Sequence, residues 1–118
     1  MKNAIDWFEI PSKDFSRAVR FYSQILGEPL QDMSGPQMPY ASFPHERMGG
    51  VGGAVSGGEC RENTIVYLNA GDDLNGVLSK VEESGGKILT PKTSIGPYGF
   101  IAIIQDTEGN QVGLHSMH

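Results

Sequence analysis

The stretch Ile5–Gly27, IDWFEIPSKDFSRAVRFYSQILG, decides how this chain folds. It reads as a strand, a tight link and an amphipathic helix stopped by a glycine. Trp7 and Glu9 point to one side of the strand and Phe8 and Ile10 to the other, the period of two expected of extended chain. Asp14 is placed to cap the helix, because its carboxylate can accept from the unpaired N–H groups of the first turn. Phe15, Ala18, Val19, Tyr22 and Ile25 or Leu26 then recur on one helical face. Gly27 supplies the left-handed residue that ends the helix.

The same order returns 59 positions later. Asp14, Phe15, Ala18, Val19, Tyr22, Gly27 and Leu30 fall on Asp73, Leu74, Val77, Leu78, Val81, Gly86 and Leu89. Trp7 and Glu9 fall on Val66 and Leu68 of the strand TIVYLN. A shift of 59 in 118 residues halves the chain, which points to a structural duplication. After the first helix, EPLQDMS, QMPYASF and VGGAVSG read as strands, PHERMGG as a loop and GECREN as the link between halves. In the second half, Thr64–Asn69 is a strand and Asp72 or Asp73 caps a helix through about Ser84. A strand opens at Lys87–Leu89, SIGPYG is a loop, and FIAII and QVGLH flank the turn DTEGN. Each half is therefore β-α-β-β-β, with modules at about 1–60 and 61–118 inside a single domain. The last strands also overlay, with Gly53 opposite Gly113 at a shift of 60.

A chain of this length buries roughly two-thirds of its unfolded surface. With 38% apolar and 19% charged residues it is globular rather than disordered. Nine basic against fourteen acidic side chains give a formal charge of −5, and no Lys/Arg stripe is present. Nucleic acid and anionic membrane surfaces are therefore not expected partners. The single cysteine, Cys60, excludes an internal disulfide, and nothing in GECREN activates its thiol. The opening MKNAIDWFEIP has no apolar signal-type run, and no stretch approaches about 18 apolar residues. A cytoplasmic location is expected. GGVGG is not a phosphate loop, since neither a helix start nor a lysine follows it.

Two segments, WFEIPSKDFSRAVRFYSQILG and GPYGFIAIIQDTEGNQVGLHS, resemble the glyoxalase/bleomycin-resistance/dioxygenase group, the vicinal oxygen chelate superfamily. The resemblance rests on the strand–D–helix–FY–LG opening and the D-x-EGN turn before the last strand. It implies an α+β fold of two paired βαβββ modules whose curled mixed sheets surround a cavity, usually as a homodimer. Active members of the family hold a divalent metal with His, Gln or Glu from the first and last strands of each module. Those positions fall here on Trp7, Val66, Gly113 and, through the internal repeat, Gly53. None of these side chains suits a metal, so no metal and no cofactor are expected.

What remains is a cavity with few polar groups. Glu9 shares a strand face with Trp7, and a carboxylate partly desolvated by an indole suits a general base or a cation-binding group. His115 alternates onto the face of Gly113 and is the histidine best placed as a proton-transfer partner; His45 and His118 read as loop and tail. Trp7, Glu9, Tyr40 and Tyr98 are the expected ligand contacts, and Tyr67 reads as core on the helix side. The expected role is binding of a small organic molecule. The alternatives are a lyase or isomerase using Glu9 and His115 as acid and base, and an interaction module whose own side chains fill the cavity.

Overall fold

The computed structural model describes residues 3–36, 38–45, 50–58 and 63–118. Cys60 and most of the loops PHERMGG and GECREN lie outside them. The chain divides into two compact units, one of Trp7–Thr64 and one of Ile65–His118 together with the N-terminal residues through Asp6. Among the described residues no helix is long and apolar enough to cross a membrane.

The first unit contains β1 (Ile5–Pro11) from Trp7 onward, α1 (Phe15–Leu26), β2 (Gln31–Asp32), β3 (Tyr40–Ser42) and β4 (Gly52–Ser56), while Ile5 and Asp6 belong with the second unit. Its strands run in the order β2-β3-β4-β1, with β1 parallel to β4 and the other pairs antiparallel. The Asp14 carboxylate caps α1 by accepting from the Arg17 N–H at 3.1 Å, and Gly27 ends the helix with φ 73°. Phe15, Ala18, Val19 and Tyr22 pack against Leu30, Ala41 and Val55. The apolar stripe stops there: Ile25 and Leu26, expected to extend it, are 61% and 52% exposed. The second and third strands are also shorter than their sequence windows. Pro29 and Pro39 remove ladder donors, and the Asp32 carboxylate takes the Ser34 N–H at 2.8 Å, bending the chain after two paired residues.

The second unit contains β5 (Ile65–Asn69), α2 (Leu74–Leu78), β6 (Lys87–Ser94), a 3₁₀ turn (Gly96–Tyr98), β7 (Phe100–Gln105) and β8 (Gln111–Ser116). Its strand order, β5-β8-β7-β6, repeats that of the first unit element for element, with β5 parallel to β8. The duplication is thus a duplication of topology. The helix is shorter than expected. After Leu78 it gives way to turns bonded three residues apart, such as Lys80 N–H to Val77 O at 3.1 Å and Val81 N–H to Leu78 O at 3.2 Å. Gly76 in its middle lowers the helical preference of an already short segment. Leu74 is fully buried, and Val77 and Leu78 pack with it on Ala102 and Leu114.

Paired residues of adjacent strands share a sheet face, which locates each side chain. In the first unit the helix-covered face carries Ile10, Val55 and Ala41, with Phe8 and Gly53 two residues along. Trp7, Glu9, Gly52, Ala54, Ser42 and Tyr40 occupy the other face. In the second unit Leu114 and Ala102 lie under α2, with Leu68 on the same sheet face, while Tyr67, Gly113 and Ile103 face away.

The shift of 59 therefore places Val66 and Leu68 on the wrong face to match Trp7 and Glu9. The overlay of the last strands at a shift of 60 likewise pairs Gly53, on the helix side, with Gly113, on the far side, whereas the strand hydrogen bonds make Ala54 the counterpart of Gly113. For the first strands the cause is one extra residue in the second strand–helix link. Ser12 N–H donates to Ser56 O and Ala70 N–H to His115 O, each at 2.8 Å, so these two residues are equivalent. From Ser12 to the cap Asp14 is two residues; from Ala70 to the cap Asp73 is three. An odd insertion moves every upstream strand side chain to the opposite face. Aligned by hydrogen bonding, Glu9 corresponds to Tyr67. Tyr67 is core, only 3% exposed, but faces away from the helix rather than under it.

Candidate functional site

On the open side of β1, three side chains from two strands form a directional relay. Trp7 Nε1–H donates to Tyr40 Oη at 2.8 Å, and the Tyr40 hydroxyl donates to Glu9 Oε2 at 2.6 Å. The strand period brings Trp7 and Glu9 to one side. Tyr40, at the start of β3, pairs across with Ser56 and lies on that same face. All three residues are half-buried. The indole can only donate and the ionised carboxylate can only accept, so the phenol between them has its proton direction fixed. The O–H···O⁻ contact is of the short, charge-assisted kind.

A fourth residue, read from sequence as a loop histidine, joins them. The His45 ring stands edge-on to Trp7, with centroids 5.8 Å apart and planes at 82°. It lies over Gly52, the strand partner of Trp7: a Cβ there would come within 2.6–2.8 Å of three imidazole atoms. His45 Nδ1 is 3.0 Å from the Phe43 carbonyl, which can only accept, so Nδ1 carries the proton. The signal for His45 was Gly52, but reading it required knowing that Gly52 sits opposite Trp7.

His115 is held differently, in the second unit. Its Nδ1 lies 2.5 Å from Asp6 Oδ2 and its Nε2 lies 2.6 Å from the Tyr98 carbonyl oxygen. Both partners are acceptors, so both ring nitrogens are engaged. The Asp6 carboxylate joins the start of β1 to β8, and the Tyr98 carbonyl adds the 3₁₀ turn. Asp6 was not singled out in the sequence, where it is one of several unremarkable acidic residues. The Tyr98 side chain is 60% exposed. The relay of Trp7, Glu9 and Tyr40 belongs to one unit, and His115 and Tyr98 belong to the other.

The turn DTEGN is structural in its detail. The Asp106 carboxylate accepts from the N–H groups of Glu108 at 2.8 Å and Asn110 at 2.9 Å, and from the Asn110 amide at 3.0 Å. These bonds, that of the Asn110 side chain first, hold its pKa below the usual aspartate value. Gly109 takes φ 89° to close the turn.

A family model for the Glyoxalase/Bleomycin resistance protein/Dioxygenase superfamily matches residues 4–114. The chain belongs to this superfamily. A glyoxylase-like domain-containing protein of Didymella fabae is 32% identical over 119 residues, covering 90% of this chain and 88% of that protein. CFP32 of Mycobacterium tuberculosis is 29% identical over 117 residues, covering 92% of this chain but 44% of that protein, so this chain spans less than half of it. Among solved structures, methylmalonyl-CoA epimerase of Mycobacterium tuberculosis has the same fold, with a TM-score of 0.71 at 13% identity, covering 98% of this chain and 88% of the other.

The positions that the resemblance assigns to metal ligands, Trp7, Gly53, Val66 and Gly113, differ in orientation and surroundings. Trp7 faces the open side of its sheet, as such a ligand would, but carries an indole engaged with Tyr40. Gly53 is excluded by orientation, since it lies on the helix face beneath the Phe8 ring. Val66 is excluded likewise, and the outward first-strand residue of the second unit is Tyr67. Gly113 faces outward, but the Tyr67 ring lies directly over it, where a Cβ would collide with the ring. The space that a last-strand ligand side chain would take is thus filled by an aromatic ring. Indole, phenol and glycine do not make a donor set for a divalent cation. Among the described residues no three His, Cys, Asp or Glu side chains are grouped to hold one.

Proposed function

We propose that this protein is a metal-independent member of its superfamily that binds a small organic molecule on the Trp7–Glu9–Tyr40 face. The relay from Trp7 through Tyr40 to Glu9 carries the reading. It fixes an aromatic wall and a carboxylate–phenol pair on one side of a sheet, the combination of apolar surface and few oriented polar groups that a ligand site uses. The acidic balance of the chain disfavours anionic ligands and favours neutral or cationic ones.

The test is a thermal-shift screen of neutral and cationic organic molecules, repeated on Glu9→Gln. A ligand at 100 times its Kd stabilises by about 2.7 kcal/mol, well within detection. A hit that binds Glu9→Gln and the unmodified protein equally would remove Glu9 from the site. Elemental analysis of protein prepared without chelator checks the metal: one tightly held transition metal per chain would overturn that part of the reading.

The 2.6 Å contact between Tyr40 and Glu9 favours a second reading, proton transfer by a lyase or isomerase. In that reading Glu9 is the base and Tyr40 the acid that shares its proton network. The occurrence of epimerases on this fold makes the class a reasonable one, while fold alone does not assign it. His115, with both ring nitrogens engaged, serves in this reading to hold Asp6 and the Tyr98 backbone. The exposed apolar side chains of α1, Phe21, Ile25 and Leu26, support a homodimer. Sedimentation at micromolar concentration tests it, and a single species of monomer mass counts against it.

A further inference from the structure

We infer that His45 is a ligand-binding residue of the Trp7–Glu9–Tyr40 face, seated by the missing side chain of Gly52, and that it takes a neutral organic ligand through that ligand's O–H group. The inference rests on the reading of this face as a small-molecule site and adds to it a specific acceptor and a ligand class.

Three observations carry it. The Phe43 carbonyl fixes the His45 proton on Nδ1, so in the neutral imidazole Nε2 presents a lone pair as acceptor. Among the described residues that nitrogen has no hydrogen-bond partner. The ring is also positioned rather than loose, with Trp7 at its edge and the Gly52 backbone beneath it. Gly52 does not take a positive φ, so backbone conformation does not require glycine there. The space it leaves is occupied by imidazole, and any Cβ would displace that ring. Finally, Trp7 touches both groups: it donates to the Tyr40 of the Glu9 relay and contacts the His45 ring. A ring-bearing molecule packed on the indole would have an acceptor nitrogen on one side and the carboxylate–phenol pair on the other. A hydroxyl is the complementary group, because it donates to either acceptor without bringing a negative charge towards Glu9.

Trp7 is the only tryptophan, so its emission reports this face directly. Phenol and toluene are the probes, alike in shape except for the O–H. Their dissociation constants would be read from Trp7 emission in the unmodified protein, His45→Phe, Gly52→Ala and Glu9→Gln, with circular dichroism confirming that each variant is folded. Phenol is expected to bind about 3–10-fold more tightly than toluene, the value of one hydrogen bond. His45→Phe keeps a ring and removes the acceptor, so the preference should fall to about one. Gly52→Ala, which leaves every functional group in place, should reduce it in the same direction. An undiminished preference in His45→Phe overturns the inference. If the preference then collapses in Glu9→Gln, the site reading stands and only His45 is removed from it. If neither probe perturbs Trp7 at millimolar concentration, the site reading fails and the inference fails with it.

Discussion

Gly113→Ala should destabilise this protein, and the reason lies in one ring. The residue has ordinary backbone dihedrals, so alanine meets no conformational penalty there. Its new methyl group, however, would lie within the van der Waals envelope of the Tyr67 ring. Tyr67 is 3% exposed, and its neighbours on that face, Ile65 and Ile103, are 1% and 2% exposed, so the ring has little room to yield. It must retreat by about 1 Å to reach normal carbon–carbon separation. Overpacking of this kind costs about 1–3 kcal/mol. Loss of glycine's freedom in the unfolded chain returns about 0.4–1 kcal/mol. The net expectation is a loss of about 1–2 kcal/mol. Gly76→Ala is the control, since nothing lies within 4 Å of its new Cβ and it sits in a helix. That change should stabilise by about 0.5–1 kcal/mol. Urea unfolding followed by circular dichroism measures both. With m of ~1–3 kcal/mol/M, the midpoints of the two variants should differ by about 1 M. A double variant, Gly113→Ala with Tyr67→Leu, should show favourable coupling because the clash is gone. Gly113→Ala at or above the unmodified midpoint would refute the claim that Tyr67 fills this position.

The other expectations are shorter. Replacing Asp14 by alanine removes the acceptor for the Arg17 N–H and should cost about 1 kcal/mol, seen as a lower melting temperature. His115→Ala leaves Asp6 and the Tyr98 carbonyl without their donor and should cost about 1–2 kcal/mol. The loss should be read in the melting temperature, and an unchanged value would show the contact to be incidental. Asp106 has a folded pKa below its unfolded value because of the Asn110 and turn N–H groups. Its contribution is therefore present above about pH 4 and is lost as acid protonates it through the lower folded value. Asp106→Ala should flatten the acid side of the stability profile and leave its shape at neutral pH unchanged.

Much of the fold was legible because it is written locally. Asp14 and Gly27 bound α1 where the caps said they would, and the repeated strand–cap–stripe–glycine order corresponds to a repeated strand order. What was not legible depends on register. Nothing local in TIVYLNAGDDLN shows whether Asp72 or Asp73 begins the helix. The second residue of that pair is the cap, with its carboxylate accepting from Asn75 N–H at 2.9 Å. The helix ends early for a reason that was visible, Gly76, but whose effect depends on how little of α2 is packed.

That one-residue choice has consequences for chemistry as well as for fold. Counting along the helix repeat assigns Val66 to an outward, ligand-type position, and overlaying the last strands one residue further along pairs Gly53 with Gly113. Counting along hydrogen bonds assigns the outward positions to Trp7 and Glu9 in one unit and to Ile65 and Tyr67 in the other. The two modules then differ in kind. In the first, the outward face holds an indole, a carboxylate, a phenol and an imidazole around Gly52. In the second, the outward face is closed by Tyr67 over Gly113, flanked by the buried Ile65 and Ile103. A duplicated scaffold has thus been specialised by side-chain size at glycine positions. At Gly113 the neighbouring strand fills the space with core, while at Gly52 a loop histidine enters it.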